Sequence, residues 1–284
     1  MCGIWDIVNM TEYRIPKVSI IMSVYDGIDI RFLYKAMDSI FNQTFKNIEV
    51  IIVLDDVKRE DIKECVYFSD KGFEKKLILL ENSKEEGFVA CLNKAIEKST
   101  GDYIARMDSD DISLPNRIEK QVKFLEENKE IDTLGTFAYE IDEADQIIFE
   151  NSMPISYEEI KRNFLIRNPF IHPTLMFRRA FFEKVGPYNP VYRYMEDYEL
   201  WCRMLYKGVY AENLPEFLYM FRVDKNFYKR RSGFKKAILN AKIKYSFIKN
   251  MHLPPHAFLY LIIPFIVKTA PEPLSKLFYR YFRK

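Results

Sequence analysis

The chain contains no glycine-rich phosphate cradle: neither GxGxxG nor GxxxxGK[ST] occurs, and glycine accounts for only 9 of 284 residues. If the protein handles a diphosphate, its charge must be met by something other than a ring of backbone N–H groups, and a metal ion is the obvious candidate. Cysteine is sparse too. Cys2, Cys65, Cys91 and Cys202 stand far apart, with no metal or redox spacing, which predicts reduced thiols in a cytoplasmic protein. The opening MCGIWDIVNMTEYRIP carries acids and lacks an apolar core of signal-peptide length, so no export is expected. The longest apolar run, Ala257 to Val267, is 11 residues broken by Pro264, whereas a spanning helix needs about 20. Lying on a membrane is compatible with this run; crossing one is not. No repeat or low-complexity segment occurs.

A length of 284 residues accommodates one large domain, or a domain with an appendage, around a full hydrophobic core. Aromatics are plentiful, with 19 Tyr and 23 Phe. The formal charge of +2 conceals an asymmetry. From Lys225 onward there are 14 Lys or Arg against one acid, Glu272, a charge of +13 that leaves −11 for residues 1–224. A basic tail on an acidic body predicts an anionic partner, either membrane phospholipid or nucleic acid.

Lys17 to Tyr25, Ile48 to Leu54, Lys76 to Leu80 and Tyr103 to Met107 read as strands, the first two so apolar that both faces must be covered. Helical spacing separates them, at Phe32 to Phe41 and Phe88 to Lys98. This rhythm predicts βαβ units, right-handed crossovers and a doubly wound, mostly parallel α/β sheet. Ligands bind such sheets at the carboxyl ends of the strands, which puts Tyr25 and Asp26, Asp55 and Asp56, Asn82 to Gly87, and Asp108 to Asp111 on one rim. Beyond a helix from Asn116 to Glu127, a hairpin is expected over Thr133 to Ile141 and Gln146 to Phe149, then a short helix at Tyr157 to Phe164. A strand at Thr174 to Phe177, helices at Arg178 to Val185 and Met195 to Tyr206, and a last strand at Phe217 to Arg222 follow.

The centre of this pattern is Gly101 to Arg117, GDYIARMDSDDISLPNR, where a buried strand runs into Asp108, Asp110 and Asp111 and then into a helix expected to start at Leu114-Pro115. Three crowded acids repel one another, and a hard divalent cation relieves them by taking carboxylate oxygens as ligands. The same residues also suit an acidic turn and helix N-cap, where Asp is favoured anyway.

These stretches resemble the family 2 glycosyltransferases and their GT-A nucleotide-sugar-binding fold. The resemblance covers roughly residues 17 to 222 and is carried by VSIIMSVYDG, SIFNQTFKNIEVIIVLDD, ENSKEEGFVACLNKAI, GDYIARMDSDDISLPNRIEKQ, HPTLMFRRAFFEKVGPYNP and YMEDYELWCRML, in that order. It is nearest to bacterial enzymes that build capsule, exopolysaccharide or O-antigen units on a lipid carrier. Position by position, the resemblance implies that Ser23 and Tyr25 embrace the nucleotide base and that Asp56 bonds its edge. It likewise gives Asp108 to the ribose, Asp110 to a Mn²⁺ or Mg²⁺ ion, and Asp197 to the work of general base. The implied donor is a nucleoside diphosphate sugar, expected to be a UDP-sugar. One departure stands out: the family usually continues its two acids with Gly-Ser, whereas Val57-Lys58 follows here, a bulkier turn expected to change how the base is held.

Glycosyl transfer needs charge neutralised on the departing diphosphate and a proton removed from the attacking hydroxyl, and a single displacement inverts the anomeric carbon. Each candidate also has a structural alternative. Asp197 opens a helical pattern and would serve as an N-cap; Glu196 would orient the loop or touch acceptor hydroxyls. Trp201 is open to stacking on a sugar or lying in the core, and His172 to approaching the metal or bonding backbone. Arg106 has phosphate or Asp108 as partner, Asn93 a loop carbonyl or ribose, and Asp55 ribose or its own turn.

The tail mixes apolar depth, His256 to Ile263, with a cationic rim and the aromatics Phe278, Tyr279, Tyr281 and Phe282. That is the composition of an interfacial anchor, and a lipid-linked saccharide acceptor would explain it; nucleic-acid binding would not require the apolar run, so no nucleic-acid partner is expected. The expected organisation is a glycosyltransferase domain over residues 1–224 and a basic amphipathic extension over 225–284, at the inner face of the cell membrane. A sugar-nucleotide pyrophosphorylase is the alternative enzyme, but it wants a glycine-rich basic loop where SVYDGIDIRF has one glycine and one arginine. A non-catalytic carbohydrate-binding module is the third reading, against which stand Asp108, Asp110 and Asp197 together.

Overall fold

A computed structural model describes residues 14–68, 76–224, 227–271 and 274. The apolar runs form strands β1 (Val18–Tyr25) and β2 (Ile48–Asp55), and every residue of β2 before Asp55 is buried, because helices cover both faces. Helix α1 (Ile30–Phe41) connects them, starting at Asp29, whose carboxylate accepts from the Arg31 N–H. Helix α2 (Glu60–Phe68) leads to β3 (Lys76–Asn82), and α3 (Gly87–Lys98) leads to β4 (Tyr103–Asp108). These four strands pair in parallel in the order β3-β2-β1-β4. The chain therefore reverses its winding direction between β1 and β4, and a crevice opens at their carboxyl ends.

The other half of the sheet is mixed. After β5 (Ile112–Ser113) and α4 (Arg117–Glu127) come β6 (Thr133–Ile141), β7 (Ile147–Asn151), α5 (Tyr157–Asn163), β8 (Met176–Arg178) and α6 (Ala180–Val185). Helix α7 (Glu196–Tyr206) and β9 (Ala211–Arg222) follow. The sheet continues from β4 through β8, β6 and β9 to β5; β8 runs antiparallel to both neighbours, and the β6–β7 hairpin is present as expected. Pro115 does not open α4. Its carbonyl accepts from the Thr44 N–H and Leu114 N–H donates to Leu218, so this pair closes the turn after β5 and the helix begins at Arg117. Strand β5, two residues long, carries no periodicity to read.

One apolar cluster joins the parallel strands to α1 and α4; a second joins α5, α6 and α7 to α9 (Phe234–Asn250). Ile243, Phe247 and Ile248 of α9 pack with Tyr198, Trp201 and Cys202 of α7, so this part of the expected basic extension shares a core with the site-bearing helix. The chain closes this region with α8 (Phe227–Arg231) and α10 (Ile263–Thr269). The aromatic residues from Phe278 onward lie outside the described residues.

Glu49 is the fully buried acid of β2. Burial opposes its charge, but hydrogen bonds from Lys17 Nζ, Ser19 Oγ and the Thr100 N–H, each at 2.6 Å, outweigh it and hold the carboxyl down at about 2. Such a depressed carboxylate contributes stability at pH values above its ordinary 4.5 that is lost as pH falls toward 2. Glu49→Gln should therefore destabilise the fold by about 2 kcal/mol at pH 7, with the difference shrinking at pH 3. Equal urea-midpoint differences at both pH values would contradict this.

Candidate active site

The switch point gathers the residues at the strand ends. Ser23 of β1 stands directly opposite Asp108 of β4, and Tyr25 opposite Asp55 of β2. Tyr25 is 48% exposed at the lip, and partial burial followed by the nearby Asp110 charge pushes its hydroxyl up. Asp56 adopts a left-handed backbone with φ 53°, a conformation that Asp tolerates better than most residues. Its carboxylate meets Lys58 Nζ at 2.7 Å, while the Val57 side chain is buried in the core. That is the consequence of Val57-Lys58: one residue anchors the turn and the other already contacts the expected base-binding acid. Asp55 accepts from Asn82 Nδ2 at 2.9 Å and so belongs to turn chemistry.

At the acidic bend the three carboxylates take different places. Asp108 pairs with the buried Arg106 guanidinium at 2.8 Å, which decides Arg106's partner in this structure. Asp111 is buried, and its Oδ1 accepts from the Arg222 N–H at 2.7 Å, tying the bend to the end of β9. Asp110 is half-buried between them, and its own carbonyl accepts from Arg222 Nε at 2.8 Å. Burial first and Asp108 second raise the Asp110 carboxyl to about 6; burial and both neighbouring acids push Asp111 well up. An added cation would relieve this excess of negative charge. Among the described residues no group of three His, Cys, Asp or Glu is arranged to hold a metal unaided. The Asp108 and Asp110 carboxylates are oxygen donors of the kind that Mg²⁺ or Mn²⁺ accept, ions that take one or two carboxylates and complete their shells with water and a substrate's phosphates.

Glu196 and Asp197 form the first turn of α7. The N-cap is Met195, so Asp197 is not the cap that its position suggested. One Asp197 oxygen accepts from Asn168 Nδ2 and the other from the Tyr198 N–H, both at 2.7 Å. This fixes the carboxylate without an ion pair among the described residues. Glu196 is raised to about 7 by burial and then by Asp197, and its Oε2 is buried without a partner among the described residues. Trp201 lies in the core, fully buried, with Phe170 edge-on at 5.1 Å, and is not placed to stack on a sugar. Asn93 is structural, exchanging two hydrogen bonds with the Tyr188 backbone. His172 bonds Tyr188 Oη at 2.7 Å rather than backbone; burial and then Arg106 hold its imidazole neutral.

A cavity of about 830 Å³ brings Asp108, Arg106 and His172 together with Glu196 and Asp197. Ser23, Tyr25, Asp56 and Asp110 are not among its lining residues and occupy the adjoining rim of strand ends. Several lining residues were not anticipated. Arg230, Lys244 and Lys268, from α8, α9 and α10, form the far wall. Their charge was visible as a basic tail, but not where it folds. Arg222, which holds the acidic bend, had no signal beyond its place at the end of a strand.

Residues 19–186 match the family described as Glycosyl transferase family 2. The chain is 31% identical over 268 residues to the UDP-Gal:alpha-D-GlcNAc-diphosphoundecaprenol beta-1,3-galactosyltransferase of Escherichia coli, covering 93% of this chain and 96% of that protein. Among solved structures, S. aureus TarS residues 1–349 in complex with UDP-GlcNAc superimposes with a TM-score of 0.69 at 14% identity, covering 93% of this chain and 79% of that 1–349 chain. The mannosyltransferase PcManGT from Pyrobaculum calidifontis, in complex with GDP-Man and Mn²⁺, does so with a TM-score of 0.62 at 16% identity, covering 98% and 83%. The α/β architecture with its strand-end crevice is thus the GT-A fold. With the family match spanning more than half of its length and a relative aligned along nearly all of it, the chain belongs to glycosyl transferase family 2.

Proposed function

We propose that this transferase moves a sugar, with inversion, from a nucleoside diphosphate sugar to a lipid-linked saccharide during bacterial surface polysaccharide synthesis. The observation that carries the reading is the single cavity in which Asp108, at the end of β4, faces Glu196 and Asp197, at the start of α7. Donor and acceptor can meet between them. Ser23, Tyr25 and Asp56 line the nucleotide rim, Asp108 takes the ribose, and Asp110 would hold a Mn²⁺ or Mg²⁺ ion. That ion, when bound, neutralises charge developing on the departing diphosphate. Asp197, oriented by Asn168, removes the proton from the acceptor hydroxyl. A UDP-sugar is the donor we favour, supported by the UDP-GlcNAc complex of the TarS fold relative.

A second assignment of the base has its own support. Glu196, raised to about 7 and with an unpartnered Oε2, is tuned as a proton acceptor near neutral pH, whereas both Asp197 oxygens already accept hydrogen bonds. The two assignments share the cavity and differ in which substitution abolishes turnover. The overall reading is tested by screening nucleotide sugars for hydrolysis and for transfer to glycosyl diphosphate lipids in the presence of Mn²⁺. Turnover of a nucleotide sugar is expected; no turnover with any donor would reject it.

A lipid-linked acceptor requires the enzyme to reach a bilayer. Among the described residues no helix is long and apolar enough to cross one. The segment Pro255–Leu261, the following Ile262 and α10 instead present Phe258, Leu259, Ile262 and Ile266 to solvent, and Phe258 meets Tyr245 of the lysine-rich α9 with ring centroids 6.0 Å apart. Apolar depth with a cationic rim suits peripheral docking on anionic phospholipid at the cytoplasmic face. Cosedimentation with phosphatidylglycerol vesicles should occur at low salt and weaken at high salt; equal binding to neutral vesicles would reject the docking proposal.

A further inference from the structure

The far wall of the cavity contains two buried ammonium groups that the transfer chemistry does not use. Lys244 of α9 is 3% exposed and Lys268 of α10 is 9% exposed, and both line the cavity. The Lys268 ammonium donates to the Arg231 carbonyl at 3.3 Å. That of Lys244 has neither a carboxylate nor a hydrogen-bond acceptor among the described residues. Burial, and for Lys244 also the neighbouring Lys268, lowers both, to about 7 and about 8. Burying an ammonium group without a counter-charge opposes folding in its charged form. An anion entering the cavity would turn this liability into charge-assisted binding.

The donor's diphosphate is not the best candidate for that anion. The donor-side residues Ser23, Tyr25, Asp56 and Asp110 are not among the cavity's lining residues, whereas Lys244, Lys268, Glu196 and Asp197 all are. Lys236, which also lines the cavity, lies over the Tyr194 ring at 4.7 Å, just before α7. The two buried lysines therefore stand on the side where the acceptor hydroxyl must lie. The exposed apolar residues Ile262 and Ile266 flank the same wall, where a lipid chain would leave.

We propose that Lys244 and Lys268, with Lys236 at the rim, form an acceptor-side pocket for the diphosphate that joins the acceptor sugar to its lipid, so that the sugar is presented to the α7 carboxylates. This rests on the glycosyl-transfer reading above, because it defines which side is the acceptor's. The charge also supplies a reason for acceptor choice: a sugar without a diphosphate leaves the lysines without a counter-charge, and a buried polar site rejects a ligand that lacks its partner.

The test is calorimetric titration of the full chain with inorganic pyrophosphate while UDP at saturation fills the donor side. Pyrophosphate should still bind, and Lys244→Met and Lys268→Met should each weaken it by about ten- to a hundredfold without weakening UDP. Removing an unpaired buried cation should also raise the melting temperature of Lys244→Met, so loss of binding would not reflect misfolding. If that variant nevertheless fails to fold, the Lys268→Met titration decides. An N-acetylglucosaminyl diphosphate with a short prenyl tail should displace pyrophosphate, and phosphatidylglycerol vesicles should not. Mutual exclusion of pyrophosphate and UDP would assign the lysines to the donor and overturn the proposal. No binding beside UDP, binding that ignores both substitutions, or displacement by vesicles alone would overturn it too. Because the titration requires no turnover, its failure is separable from failure of the catalytic reading.

Discussion

Replacing Asp197 by Asn will leave nucleotide-sugar binding nearly intact and reduce transfer by about a hundred- to ten-thousandfold, the usual worth of a positioned general base. Asn keeps the acceptor for the Tyr198 N–H but loses the one for Asn168 Nδ2, a local cost that the buried Tyr198, Leu200 and Trp201 of α7 should absorb without unwinding the helix start. What disappears is the capacity to take a proton. Glu196→Gln discriminates the two carboxylates: if Asp197 is the base, this variant retains most of its turnover; if Glu196 is, it suffers the larger loss. Stability supplies an independent check. With its folded value near 7 against an ordinary 4.5, Glu196 contributes stability that is present below pH 4.5 and lost as pH rises through 7. Glu196→Gln should flatten that slope, giving up to about 3 kcal/mol relative to wild type at pH 8. Full turnover in Asp197→Asn would refute its assigned role, and an unchanged pH slope in Glu196→Gln would refute the burial of a charge there.

The second large effect is expected at Asp110. Asp110→Asn, or chelation of the wild-type protein, should reduce transfer by about a hundredfold or more, as loss of charge stabilisation on a leaving group does elsewhere. The substitution should not unfold the protein. It removes a carboxylate that burial and Asp108 already disfavour, while the bend remains held by Asp111 and Arg222. Mn²⁺ binding in the presence of UDP, followed by titration, should fall in parallel with activity. Activity indifferent to chelator would end the metal assignment, and Mn²⁺ binding unaffected by Asp110→Asn would move the ion elsewhere.

Much of this was legible in the chain, for local reasons. Apolar runs such as VSIIMSVY and IEVIIVL admit few conformations once both faces must be covered, so the parallel half of the sheet followed directly. Its carboxyl-end rim followed in turn, and Asp108 and Asp110 lie on it. What failed lacked a periodic signal. Strand β5 is too short to alternate, α2 sits in a charged segment, and Pro115 imitates a helix start while closing a turn. Trp201 shares a helix with Asp197 but faces the cluster built by α5, α6 and α9, and no spacing rule states which face of a helix a distant segment will cover.

The sequence by itself determined the architecture of the first hundred or so residues, the acidic bend and the excess of cations near the end, because strand burial, turn chemistry and net charge are properties of neighbours along the chain. Tertiary structure alone decided that Asp108 faces Glu196 and Asp197 across one cavity, that Arg222 clamps the bend, and that Lys244 and Lys268 are buried in the cavity wall rather than spread over a solvated helix. The reason is physical. Each of those relations joins residues far apart in sequence, and it exists only because the apolar faces of α7 and α9 exclude water between them and carry their charged ends into the same space.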